Sequence, residues 1–77
     1  MMKDAVELIV KHLVREAESV DVREVERDRS TSVIEIRVAQ EDVGKIIGRQ
    51  GKVIRSIRSV VKAAATRAGT RVDVDVV

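Results

Sequence analysis

From Val43 to Ala68 the chain would form one long amphipathic helix but for two glycines, Gly48 and Gly51. A glycine in a helix interior costs about 1 kcal/mol relative to alanine. The stretch VGKIIGRQGKVIRSIR, residues 43–58, therefore predicts two helices and a turn, with Lys45, Arg49, Lys52 and Arg55 around the break. Beyond Gly51, Val53, Ile54, Ile57, Val60, Val61, Ala64, Ala65 and Ala68 share one arc at about 100° per residue, and Lys52, Arg55, Arg58 and Lys62 share the next. One side of this helix is expected to pack on a core. The flank toward the turn is cationic.

The remaining elements follow from periodicity. Val6, Ile9, Val10, Leu13, Val14 and Ala17 recur at spacings of three and four, which predicts a helix over about 4–18. Asp4 is the expected N-cap, with Glu7 completing a capping-box-like pair. Val20, Val22 and Val25 alternate with charged residues, but the phase slips before Val25, so a bulge or an early strand end is expected. After a turn at 28–31, Ile34, Ile36 and Val38 alternate with Val33, Glu35 and Arg37, completing a hairpin. A short helix over 41–47 halts at Gly48. The next runs from about Gly51 to Ala68 and ends at Gly69 in a left-handed cap. Val72, Val74 and Val76 mark a third strand, parallel to the second because two helices lie between them. The order is α-β-β-α-α-β, an α/β fold with a three-stranded mixed sheet backed by three helices.

The chain has 77 residues, no cysteine and no aromatic residue, and 44% of it is hydrophobic. That length predicts a single domain over 1–77. Its core must be built from aliphatic side chains, each worth roughly 1.5–3 kcal/mol when fully buried. Lack of cysteine excludes disulfides and thiolate metal sites. Asp4, Glu7, Lys11 and His12 interrupt the apolar N-terminal pattern, which argues against a signal peptide or membrane span and makes the cytoplasm the expected location.

Net charge is only +2, but its distribution is lopsided. Residues 1–42 carry 7 basic and 11 acidic side chains, residues 43–72 carry 8 basic and none acidic, and Asp73 and Asp75 follow. A carboxylate-free stretch of this kind points to a polyanionic partner.

A turn between two helices brings backbone N–H groups to the surface, joined by the unpaired N–H groups and positive dipole end of the second helix. Glycine leaves no Cβ to hold another backbone away. Such a surface suits a phosphodiester chain. The segment Ile46-Ile47-Gly48-Arg49-Gln50-Gly51-Lys52-Val53-Ile54 resembles the (I/V)-I-G-x-x-G-x-x-I signature of the KH domain, a module that binds RNA and single-stranded DNA. The element order is similar to the type II form, and the likeness runs from about Val6 to Val76, as in the stand-alone single-KH bacterial RNA-binding proteins of the KhpA family.

The resemblance implies a cleft that grips four nucleotides of single-stranded RNA. Gly48, Arg49, Gln50 and Gly51 would meet the backbone. Val43, Ile46, Ile47 and Ile54 would form or support an apolar floor, with Ile36 and Val38 as further contributors. Lys45, Lys52 and Arg55 would flank the phosphates. It also implies pairing of the domain with itself or with a larger KH-containing protein, and a role as a non-catalytic regulator or RNA chaperone. Replacing Gly48 or Gly51 with Asp is expected to abolish binding and leave the fold largely intact.

Two other readings stay open. Two helices around a glycine turn could form a helix-turn-helix that reads duplex DNA. The same apolar and basic face could serve self-association without nucleic acid; Leu8, off the main stripe of the first helix, would join Ala5 and Met1 in such a face. Catalysis is not expected, since the glycine turn has no carboxylate, cysteine or histidine nearby and does not match the G-x-x-x-x-G-K-[ST] phosphate loop. No cofactor, metal, small-molecule substrate or membrane partner is expected. His12, Arg67 and Arg71 read as ordinary surface residues.

Overall fold

A computed structural model describes residues 2–77. Helix α1 (Met2–Leu13) leads through a short turn of 3-10 helix at Ala17–Ser19 into strands β1 (Asp21–Glu26) and β2 (Thr31–Arg37). A 3-10 turn at Gln40–Asp42 enters α2 (Val43–Ile47), a second at Arg49–Gly51 enters α3 (Lys52–Arg67), and β3 (Arg71–Val76) follows. The sheet order is β1-β2-β3, antiparallel between β1 and β2 and parallel between β2 and β3. This is the expected α-β-β-α-α-β arrangement. The glycine turn thus sits inside the crossover that joins the two parallel strands.

One face of the sheet carries the core. Ile34 and Ile36 at its centre are fully buried, flanked by Val22 from β1 and Val72 and Val74 from β3. Val6 and Val10 of α1, Ile46 of α2, and Ile54, Ile57, Val61 and Ala65 of α3 close over them. Aliphatic side chains alone fill this core, and their burial is the main stabilising contribution.

Several local expectations need correction. Helix α1 begins at Met2, so Asp4 lies in its first turn and does not cap it. The helix also ends at Leu13, well short of 18, because the N–H groups of Arg15 and Glu16 turn away to the carboxylate of Asp42, at 3.1 and 3.0 Å. No bulge interrupts β1: its pairing with β2 is continuous from Asp21–Arg37 to Glu26–Ser32. Val22 faces the helices opposite Ile36, and Val25 faces the other way opposite Val33. The slip in apolar phase marks a change of face.

The end of α3 follows expectation. Gly69 has φ +76°, its N–H donates to Thr66 O at 3.1 Å, and the N–H of Thr70 donates to Ala65 O at 2.9 Å. This pair of bonds is a Schellman closure, which satisfies carbonyls that the helix end would leave unpaired.

The apolar arcs of α1 and α3 are wider than the core they cover. Ile9 and Leu13 of α1 remain 42% and 39% exposed, and Val60 of α3 remains 64% exposed. Together with Met2, Val53 and Ile57 they line an apolar groove of about 610 Å³ between the two helices. Leu8, although exposed, lies outside that groove, Ala5 lies within it, and Met1 is outside the described residues.

Candidate nucleic-acid interface

The turn between α2 and α3 is built from unusual backbone conformations at three of its four residues. Gly48 has φ +77° and ψ 172°, a region that only glycine occupies readily. Gln50 (φ 56°, ψ 26°) and Gly51 (φ +75°, ψ 16°) are both left-handed. Reversing the chain in so few residues demands this, and glycine supplies two of the three positions without steric cost.

The two glycines serve different purposes. A Cβ on Gly48 would stand 2.8 Å from both the backbone N and the Cβ of Val53, closer than real Cβ contacts allow. A Cβ on Gly51 would meet nothing within 4 Å. Gly48 is therefore fixed by the packing of α2 against α3, whereas Gly51 leaves open space in front of the turn. The clash with Val53 speaks against the expectation that an aspartate at Gly48 would leave the fold intact; at Gly51 a side chain would meet no neighbour and only the strain of its positive φ.

Most of the turn's own N–H groups are already used. Gly48 donates to Gly44 O at 2.9 Å, Gly51 donates to Gly48 O at 3.1 Å, and Lys52 donates to Arg49 O. The N–H groups of Arg49 and Gln50 have no main-chain acceptor among the described residues. No side chain caps the N-terminus of α3, so its positive end also faces the turn. The bare donors are fewer than the sequence suggested, but they lie side by side at the tip.

The expected site residues divide by exposure. Arg49, Gln50, Lys52 and Arg55 are exposed, and Gly48 and Gly51 are half-buried beneath them. Val43 and Ile47 are half-buried at the edge of the core. Ile46 is fully buried and Ile54 nearly so, which lets them support a floor without forming its surface. Ile36 is likewise buried in the sheet, and Val38 is 9% exposed at its margin.

Lys45 is already engaged. Its Nζ lies 3.2 Å from Oδ1 of Asp42, a carboxylate with no exposed surface. Asp42 thereby holds three donors: Lys45 and the N–H groups of Arg15 and Glu16. The bond from Glu16 N–H, helped by Arg15 N–H and Lys45, keeps its carboxyl below the ordinary aspartate value of 3.8 against the opposing effect of burial. The sequence places Asp42 only within a short helix over 41–47 and does not reveal this role. Its one local sign is the spacing to Lys45, three residues on.

Among the described residues no group of His, Cys, Asp or Glu could hold a metal ion, and no helix is long and apolar enough to cross a membrane. Alongside the exposed cations, the arrangement offers backbone donors and an unobstructed approach for a chain of phosphates.

Comparisons with known proteins bear on the domain as a whole. A family model described as KhpA/KhpB, KH domain matches residues 3–76. A Clostridium perfringens protein named RNA-binding protein KhpA is 45% identical over 76 residues, covering 99% of this chain and 100% of its own. A protein of the same name from Aquifex aeolicus is 40% identical over 75 residues, covering 97% and 94%. Among solved structures, Aquifex aeolicus Era bound to GDP.AlF4- aligns with a TM-score of 0.64 at 24% identity, covering 99% of this chain and 30% of that one. At that identity the likeness concerns the fold alone.

Proposed function

The chain belongs to the KhpA/KhpB family of KH domains, and on that footing we propose that it binds single-stranded RNA through the Gly48–Gly51 turn, without catalysis, as a cytoplasmic regulator or chaperone of RNA. The observation that carries this is the tip of the turn. Two adjacent N–H groups, of Arg49 and Gln50, lack main-chain acceptors, and Gly51 leaves the space before them open. A phosphate entering that space receives two backbone hydrogen bonds and the charges of Arg49, Lys52 and Arg55. Val43 and Ile47 offer bases aliphatic contact at the foot of the turn, in place of the aromatic stacking seen in other single-strand binders.

The helix-turn-helix alternative suits this fold poorly. Helix α2 has five residues, and α3 is committed to the sheet through Ile54, Ile57, Val61 and Ala65. An NMR titration with short single-stranded RNA tests the proposal. Amides of 45–55 should move, and duplex DNA should move them less. Shifts confined to another surface would overturn it.

A specific observation also favours self-association, the partner reading that accompanies RNA binding here. Ile9, Leu13 and Val60 are large apolar side chains left at the surface of one groove, and a small domain gains by covering such a patch. The groove fits a second copy of the domain, or the equivalent domain of a larger KH-containing protein. Sedimentation of the isolated chain across a concentration series measures the first, and mixing with such a partner the second.

A further inference from the structure

The end of the molecule that lies across the length of α3 from the glycine turn is also basic. Helix α3 runs 16 residues from Lys52 to Arg67, about 24 Å at the α-helical rise. Gly69 and Thr70 then lead into β3, whose first N–H, that of Arg71, donates to Ser30 O at 2.8 Å. That bond ties the turn between β1 and β2 to the far end of α3. Four arginines gather there: Arg27 and Arg29 in the hairpin turn, Arg67 as the last residue of α3 and Arg71 at the head of β3, all exposed.

Most carboxylates nearby are engaged. Oδ1 of Asp28 accepts from Ser30 N–H at 3.0 Å, inside the turn itself. Asp73 stands 3.8 Å from Arg71. Glu24 accepts from Ser32 Oγ at 3.0 Å, and Glu24 and Glu26 share the face of β1 that carries Val22. By contrast, among the described residues no hydrogen bond or ion pair engages the side chain of Arg27, Arg29 or Arg67. Three guanidiniums without partners, each with five N–H donors, suit phosphate oxygens.

The shape of this end sets the kind of contact. The hairpin turn is tight, with the N–H groups of Arg27 and Asp28 donating to Thr31 O at 2.9 and 3.2 Å. Residues 27–30 are exposed and carry no apolar side chain, so bases find no floor there. A contact at this tip is to the phosphate backbone and is blind to sequence.

We propose that this arginine pole is a second RNA contact, which holds the backbone of one segment while the glycine turn holds another. The proposal rests on the reading of the turn as the primary RNA site. Four stacked nucleotides at about 3.4 Å each span ~14 Å, too short to join the two contacts across the ~24 Å of helix between them. Two segments held by one small domain are at high effective concentration, and a protein that so holds them speeds the pairing of complementary strands without catalysis.

The test compares an Arg27→Ala, Arg29→Ala double variant with a Lys11→Ala, Arg23→Ala control, which removes the same charge away from both contacts. All four residues are exposed, so both variants should fold, as thermal melts will show. The probes are a four-nucleotide oligouridylate, a short RNA duplex, and two labelled complementary strands whose annealing is timed. In the wild type the oligouridylate should move amides of 45–55, and the duplex should move chiefly those of 26–31 and 66–71. The arginine variant should bind the oligouridylate within about twofold of the control. It should lose the shifts caused by the duplex and anneal the strands at least about threefold more slowly than the control.

If the oligouridylate moves the turn but the duplex leaves 26–31 and 66–71 silent, the pole is overturned and the turn reading stands. If the oligouridylate leaves the turn silent, the turn reading falls and takes the pole with it. Equal annealing rates in the two variants would assign the effect to net charge and overturn the pole. Shifts of 26–31 and 66–71 that follow protein concentration and not RNA would assign the arginines to acidic groups of a second copy, with the same result.

Discussion

Gly48 lies so close to Val53 that a Cβ on the glycine would stand 2.8 Å from the valine's backbone nitrogen and Cβ. The break in the helical pattern is therefore a packing requirement at one glycine and an opening at the other. That difference predicts that substitutions three residues apart act chiefly on stability at one position and on binding at the other.

Gly48→Ala should destabilise the domain by ~1–3 kcal/mol through its backbone conformation and the collision with Val53. Gly51→Asp should cost only ~1–2 kcal/mol for its left-handed conformation and leave a folded protein. A carboxylate then stands where phosphate is expected, and RNA binding should be lost. Thermal melts paired with RNA titration read both effects. A folded Gly51→Asp variant with normal RNA affinity would remove the turn from the site.

Arg49→Ala and Lys52→Ala should each weaken binding alike across RNA sequences and reduce the salt slope by ~0.7, one phosphate contact of a single strand. Lys45→Ala should change the slope less, because its ammonium is held by Asp42; its larger effect should be on thermal stability. Anisotropy of a labelled oligonucleotide over a salt series distinguishes the three.

Asp42→Asn should lower Tm at neutral pH by at least ~4–8 °C, because an amide cannot accept from all three donors of the native carboxylate. The pH dependence has a definite sign. The folded pKa lies below the ordinary 3.8, so the contribution of Asp42 is complete above that value and is lost as pH falls through the lowered one. The gap in Tm between wild type and variant should therefore be wide at neutral pH and close in acid. Melts across that range supply the check, and a constant gap would contradict the assignment.

Val60→Asp places a charge in the apolar groove at a side chain that is 64% exposed, so the fold should tolerate it within about ±0.5 kcal/mol. If the groove joins two copies, the variant should sediment as a monomer at concentrations where the wild type does not. Equal sedimentation of the two would assign the groove another occupant.

What could be read from the chain was what neighbouring residues decide. Gly69 announced the end of α3, and the Schellman bonds form there. The alternation around Ile34 and Ile36 announced the central strand, and Gly48 and Gly51 announced the turn. The early end of α1 could not be read, because the groups that end it are 26 and 27 residues apart. Nor could the exposure of Ile9, Leu13 and Val60, which depends on how far apart two helices settle on a shared sheet. Within the candidate site, the glycine pattern marked where the turn between α2 and α3 lies. The number of free N–H groups depended on the internal bonds of the turn, which a pattern of residue types does not specify.

The parallel pairing of β2 with β3 has a consequence for how the protein is made. A nascent chain that has emerged only as far as α3 has its glycine turn but not Val72 and Val74, which complete the buried face beneath that helix. A grip on RNA should therefore arise late in synthesis, once the final strand has slotted in beside β2. A ribosome stalled just before Arg71 would present the turn without the scaffold that shapes it.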